Sequence, residues 1–219
     1  MGTVYLIITD GLGAGVQEDS HVYGDEGCNT LGHVSEVTGC QLPNLEQLGL
    51  GNIIPLASIP PAVNPQASYG KMREVSSGKD STTGHWGMAG VKIDQPFPTY
   101  PNEFPEEVLQ SFLEITSAPG ILANKPWSGT DVIDSFGKEH LMSAHTEGFV
   151  FMNLIDTDQL YGHRNDAEGY GESLREFDRG LPAILKKMNP DDTLIITKDH
   201  GNDLTTPGTD HSWEFVPLI

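Results

Sequence analysis

The sequence predicts an α/β fold, a mainly parallel sheet flanked by helices, on three observations. Three short runs, Val4 to Thr9, Phe149 to Ile155 and Thr193 to Thr197, are continuously apolar and β-rich, the pattern of strands covered on both faces. Each run is followed at once by acidic residues: Asp10, then Asp156 and Asp158, then Asp199. Between the second and third runs, Tyr170, Leu174, Phe177, Leu181, Leu185 and Met188 recur at steps of three or four, as on the apolar stripe of a helix that packs on a sheet.

Along the chain, Gly11-Leu12-Gly13-Ala14-Gly15 follows the first strand. It does not match the dinucleotide fingerprint, because position 16 is Val, and reads as a turn that lets backbone approach a site. Asn52 to Ser68, with four prolines, reads as an irregular surface connection. Glu103 to Ile115 is a helix candidate with Pro105 near its first turn. The helix from Tyr170 onward is weakened by Gly169, Gly171, Gly180 and Pro182 and stops before Pro190. Tyr170 and Phe177 belong to its core face. Val216 to Ile219 reads as the start of a further strand.

The chain has 219 residues, enough to bury a sizeable core as one large domain or two small ones. Its 31 acidic against 12 basic residues give a formal charge of −19, which argues against nucleic acid or an anionic membrane as partner. A phosphorylated substrate meets the same repulsion unless divalent cations reverse the sign locally. No apolar run approaches the length of a membrane span, and no secretory signal opens the sequence. With only Cys28 and Cys40, separated by eleven residues, two ordinary thiols are expected in a reduced, cytoplasmic protein.

Seven residues in tight local motifs are the candidate site: Asp10, Ser81, Asp158, His163, Asp199, His200 and His211. Carboxylate, hydroxyl and imidazole in that proportion suit two borderline divalent ions, Mn²⁺ first and Zn²⁺ or Mg²⁺ as alternatives, with a hydroxyl between them as nucleophile. Ligands at the carboxyl ends of parallel strands converge in one crevice, which brings three of the motifs together.

The motifs Gly-Lys-Asp-Ser-Thr-Thr-Gly-His-Trp (78 to 86), Asn-Leu-Ile-Asp-Thr-Asp-Gln-Leu-Tyr-Gly-His-Arg (153 to 164), Asp-His-Gly-Asn-Asp (199 to 203) and Pro-Gly-Thr-Asp-His (207 to 211) closely resemble the bacterial phosphopentomutases of the alkaline phosphatase superfamily. Asp-Glu-Gly-Cys-Asn-Thr-Leu-Gly-His (25 to 33) extends the resemblance, which covers nearly the whole chain in order. It implies an alkaline-phosphatase-like core from 1–100 and 142–219, with 101–141 a partial cap segment. It also implies interconversion of (deoxy)ribose 1-phosphate and (deoxy)ribose 5-phosphate, with a phosphorylated pentose as the partner. The alternatives are a metal-dependent phosphatase of the same superfamily and a catalytically silent metal-binding protein.

By the same resemblance, Asp10, Asp199, His200 and the Ser81 oxygen hold one metal, and Asp158, His163 and His211 the other. Ser81 stands where the family carries its phosphorylated threonine, with Thr82 and Thr83 as the alternative hydroxyls. Gly201 is expected to supply the turn that lets Asp199 and His200 flank one ion. His85 and Trp86 are expected to pack beneath the Ser81 loop, and Asn202, Asp203, His33, Asn29 and Thr30 to support the ligands. Asp156 is a supporting residue or an alternative ligand. His21, His140 and His145 read as surface residues.

Two departures stand out. Lys198 replaces the family's alanine ahead of Asp199, where a cation offsets acidic charge or touches phosphate. From about Leu141 the chain jumps to the segment before Phe149, omitting most of the cap together with the arginines that bind the sugar phosphate. Half a cap and a cut strand leave apolar surface uncovered, so the natural chain is expected to be longer than this one.

Overall fold

The computed structural model describes residues 2–93, 103–118, 120–121, 124–125 and 149–219. Among them the three apolar runs form one parallel sheet. β1 (Val4–Thr9) is central, flanked by β3 (Phe149–Leu154) and β4 (Thr193–Thr197), with Val4 opposite both Phe149 and Thr193. In this register all three strands end at one level, so the acidic residues that follow them emerge together. The apolar run near the end of the sequence is a strand as expected: β5 (Val216–Leu218) pairs antiparallel with β2 (Gly70–Met72). Ile219 and Ile196 then exchange backbone hydrogen bonds of 3.0 and 2.9 Å, which ties the second sheet to β4.

One face of the parallel sheet is covered by α1 (Thr30–Thr38), α2 (Pro43–Leu48) and α5 (Ala167–Leu185). Each helix starts for a local reason. Asn29 accepts from Gly32 N at α1 and Asp166 from Gly169 N at α5, each meeting an otherwise orphaned donor. At α2, Pro43 pre-sets the first turn, and the buried Asp178 carboxylate of α5 receives the free N–H groups of Asn44 and Leu45. The core of this layer holds Leu31, Val34, Leu42, Leu45, Tyr170, Leu174, Leu181 and Ile196, with Phe177 partly buried against it.

Two sequence expectations shift. The stripe predicted to Met188 ends early: α5 stops at Leu185, which is exposed, and Met188 lies beyond it. The helix passes through Pro182, which removes one N–H only three residues from its end. The helix predicted from Glu103 begins at Glu106 as α4 (Glu106–Thr116), because Pro105 sits in extended backbone as its cap. α4 carries no buried residue. Asn124 exchanges two 2.9 Å hydrogen bonds with the Phe104 backbone, while 126–141 of the proposed cap segment lie outside the described residues.

α3 (Ser81–Met88) sits at the carboxyl end of the sheet. Asn52 to Ser68 holds no helix or strand beyond the 3₁₀ turn Leu50–Asn52. Cys28 and Cys40 are buried free thiols, and no described helix is long and apolar enough to cross a membrane.

Candidate metal centre

Asp10 follows β1 directly, and its N–H extends the ladder to Leu154 O at 3.2 Å. Asp199 and His200 follow β4. His200 Nε2 lies 3.1 Å from Asp10 Oδ1 and 3.5 Å from Asp199 Oδ2, and all three side chains are buried. Gly11 makes the approach of the strands workable. Its N–H donates to Asp199 Oδ1 at 3.2 Å, its φ is +76°, and a Cβ there would meet Asp158 Oδ1 at 3.1 Å.

The second group forms where β3 runs into a π-helical turn, Thr157–Tyr161. That wider turn is anchored by Thr157 Oγ1, which donates to Asp10 O at 2.6 Å, and it presents Asp158 inward. Asp158 Oδ2 lies 3.1 Å from His163 Nε2, Asp158 Oδ1 3.5 Å from His211 Nε2, and the two imidazole Nε2 atoms 3.2 Å apart. The His200 and His211 rings stack with centroids 3.7 Å apart, which places the two triads side by side. Asp10, Asp199 and His200 thus form one cluster of potential ligand atoms, and Asp158, His163 and His211 a second.

The imidazoles are oriented alike. Nδ1 of His163 faces Thr209 O at 2.7 Å, Nδ1 of His200 faces Gly201 O at 3.0 Å, and Nδ1 of His211 faces Lys79 O at 2.8 Å. A carbonyl oxygen only accepts, so each Nδ1 carries a proton, and each ring turns its Nε2 toward the carboxylates. Three such rings aimed at three carboxylates are a donor set for cations.

The electrostatics agree. Burial alone would raise Asp199, yet the neighbouring His200 and His85 hold it well below the usual carboxylate range. Burial and then the Asp199 charge push Asp10 up, against the pull of His200. Burial opposes charge on His200, but Asp199 and Asp10 raise its pKa to about 10. The buried triad therefore demands positive charge. Asp199 Oδ2 is buried without a hydrogen bond, although His85 Nε2 lies 3.3 Å away, so one acceptor lone pair faces the cluster unmet. These residues fit a divalent cation.

Ser81 is the first residue of α3, and its Oγ lies 2.9 Å from His200 Nε2 and 3.5 Å from Asp10 Oδ1. Asp80 caps the helix by accepting from Thr83 N at 3.1 Å. The other two hydroxyls are placed differently: Thr83 is buried and donates to Asp80 O and Gly78 O, and Thr82 is exposed.

Around the ligands, Asn153 Nδ2 donates to Asp10 Oδ2 at 2.8 Å and Asn202 Nδ2 to Asp158 Oδ1 at 2.7 Å. Asp203 Oδ2 accepts from Asn29 N and pairs with His33 Nδ1, each at 2.7 Å. His85 packs edge-on against Phe151 beneath the Ser81 helix, whereas Trp86, one residue on, turns outward and is exposed. Asp156 joins neither triad. His21 is exposed, and His140 and His145 lie outside the described residues.

Gly201 is required for a reason other than the one expected. Its φ is not positive, but a Cβ would meet Glu214 Oε1 at 2.6 Å and Ser212 Oγ at 2.7 Å. Lys198 is buried, burial pushes its ammonium well below the ordinary lysine range, and it lines a cavity of about 90 Å³ with Glu74, Gly84 and Asp199.

Sequence reasoning missed Glu214. Fully buried, it accepts from Thr30 Oγ1 at 2.6 Å, Thr30 N at 3.0 Å, Gly15 N at 3.1 Å and Ser212 Oγ at 2.7 Å. Asn202 N donates in turn to Thr30 Oγ1 at 3.0 Å, so one carboxylate joins the β1 loop, α1 and the ligand turn. An acid inside the run Trp213-Glu214-Phe215-Val216 was the available signal.

A family model described as Metalloenzyme superfamily matches residues 2–219. A phosphopentomutase of Caldanaerobacter subterraneus subsp. tengcongensis is 34% identical over 340 residues, covering 99% of this chain and 86% of that one. Phosphopentomutases of Carboxydothermus hydrogenoformans and Dictyoglomus thermophilum are each 33% identical over 344 residues, covering 100% of this chain and 88% of theirs. Against a chain of 219, more than a hundred positions within those alignments have no counterpart here.

Proposed function

The chain belongs to the phosphopentomutase family of the metalloenzyme superfamily, and from that premise we propose that its two triads hold two divalent cations around Ser81, the residue through which a phosphoryl group passes between the 1- and 5-oxygens of ribose or deoxyribose. The observation that carries this is the position of Ser81 Oγ, 2.9 Å from His200 Nε2 of the buried triad, whose ring stacks on His211 of the other.

In the proposed ligand set, Asp10, Asp199, His200 and Ser81 surround one ion and Asp158, His163 and His211 the other. The mixed oxygen and nitrogen donors favour Mn²⁺, with Zn²⁺ and Mg²⁺ as alternatives. When bound, the ions supply the positive charge that a chain of net charge −19 otherwise denies a phosphate ester, and they lower the pKa of a coordinated hydroxyl.

The chain's own residues do the rest. Ser81 Oγ attacks phosphorus in line, the bond from phosphorus to the departing sugar oxygen breaks, and that oxygen takes up a proton. The Asp80 cap leaves the N–H groups of the first turn of α3 facing the transferred group, where the helix end favours an anion. In the mutase cycle, phosphorylated Ser81 donates to the free hydroxyl of a bound pentose monophosphate to give a bisphosphate. Ser81 then recovers the other phosphoryl group, so the two monophosphates interconvert without net change in the enzyme. Two buried free thiols and a phosphosugar substrate both suit a cytoplasmic location.

A second reading, hydrolysis, draws on the missing alignment positions. Closing segments normally keep water from a phosphoenzyme, and a shortened cap admits it. Free phosphate is therefore expected beside ribose 5-phosphate when ribose 1-phosphate is supplied with Mn²⁺. Efficient isomerisation without phosphate release would reject this second reading.

The test of the nucleophile is Ser81→Ala. It should abolish phosphoenzyme, measured by intact mass after incubation with a sugar bisphosphate, while six of the seven ligands still bind metal. Phosphate found on Thr82 or Thr83 of the unsubstituted protein would assign the role to another hydroxyl.

A further inference from the structure

The outer edge of β3 is the least protected part of the described fold. β3 ends the strand order β3-β1-β4, and among the described residues no strand pairs with its outer side. Its sequence, Phe149-Val150-Phe151-Met152-Asn153-Leu154, contains no charge, proline or glycine, the devices that keep edge strands from pairing. Phe149 is 63% exposed and Phe151 47%, with ring centroids 6.5 Å apart. They share a sheet face with Val4, Leu6 and Ile195, which are only half-buried, so the open edge continues into an apolar surface. The opposite strand is closed off, because Ile219 bonds to Ile196 of β4.

We propose that β3 is the interface of a homodimer in which two copies meet edge to edge, their β3 strands antiparallel about a two-fold axis. Self-complementarity favours a second copy: an edge strand related to itself by a two-fold is antiparallel and in register by symmetry, and the contact closes on itself. Charge favours it too. Two chains of net charge −19 repel wherever their acidic surfaces meet, and this six-residue edge carries no charge. A basic partner, the kind the net charge attracts, would be drawn to carboxylates elsewhere. Four partly exposed phenylalanine rings contribute roughly 100 Å² each, and with the paired strand backbones they give an interface at the small end of the range, the size of a weak dimer. The inference is independent of the metal ligands.

Light scattering on the eluting full-length chain gives the test. The mass should approach twice 23.8 kDa at high concentration and fall to the monomer on dilution. The double variant Phe149→Lys, Phe151→Lys should raise the dissociation constant at least tenfold with an unchanged far-ultraviolet circular dichroism spectrum. A monomer up to about 100 μM, a dimer indifferent to the double variant, or growth into larger assemblies would each overturn the proposal. If the double variant does not fold, hydrogen exchange on the unsubstituted protein decides. Amides of 149–154 should become more protected as concentration rises, and protection independent of concentration would show that this edge is covered within one chain.

Discussion

The two triads differ in how they are built. Asp10, Asp199 and His200 follow two adjacent strands and are all buried, while His163 sits, exposed, in the 3₁₀ turn Gly162–Arg164 and His211 in a loop. The first triad is fixed by the sheet register, which sets Ile8 opposite Thr197 and so aligns the two strand ends. The second depends on carbonyl oxygens of Thr209 and Lys79, in segments with few buried neighbours of their own. One candidate cation position is therefore preformed, and the other is assembled by segments that open more cheaply.

The sharpest way to break the comparison is Asp10→Asn. It removes a charge from the buried triad without changing shape, so activity should fall on the order of 10³-fold and extra Mn²⁺ should not restore it. Steady-state rates across a metal titration check this, and recovery at high Mn²⁺ would show that the two triads are not distinguished by burial.

Next comes Glu214→Ala, which acts behind the preformed triad. It strands buried donors on Gly15, Thr30 and Ser212, at a cost of about 3 kcal/mol or more. A lowered urea midpoint with unchanged m-value is the expected reading.

His163→Ala sharpens the contrast from the other side. Its ring is exposed and serves the second triad, so metal affinity should drop by about 100-fold or more, beyond the loss of a supporting residue, with activity recovering as Mn²⁺ is raised. Chelator added in steps to the metal-loaded enzyme should remove one equivalent before the second.

The smallest effect concerns Cys28. Burial, then the charges of Glu214, Asp203 and Asp25, push its thiol up to about 12, so the thiolate is scarce at neutral pH. Iodoacetamide at pH 8 should leave Cys28 unlabelled in the native protein and label it on unfolding, as peptide mapping would show.

Much of this was legible in the sequence because the strands are short, uniformly apolar and terminated by acids. Continuous apolarity gives the parallel sheet directly, and the acids after β1 and β4 then have to meet. The division into two triads came from family resemblance alone, since His163 lies in a single 3₁₀ turn and His211 in a loop, whose paths no periodicity encodes. Glu214 was missed for another reason. An acid in an apolar run was its one signal, and apart from Ser212 its partners are Gly15 and Thr30, nearly two hundred residues away, a pairing that leaves no local pattern. The mistaken reason for Gly201 has the same origin: glycine beside a ligand pair suggests a turn, but close packing against Glu214 requires it.

The placement of β1 at the centre of its sheet has a consequence for how the chain comes to be folded at all. β1 is made well before either of its partners, since β3 lies about 145 residues downstream and β4 about 189. At synthesis rates of roughly 5–20 residues per second, Val4 to Thr9 waits on the order of ten seconds or more with both edges unpaired. That strand is apolar and uncharged, so the nascent chain is most vulnerable to aggregation before its second half has emerged. Soluble yield should accordingly depend more on chaperone supply during translation than on the equilibrium stability of the finished protein.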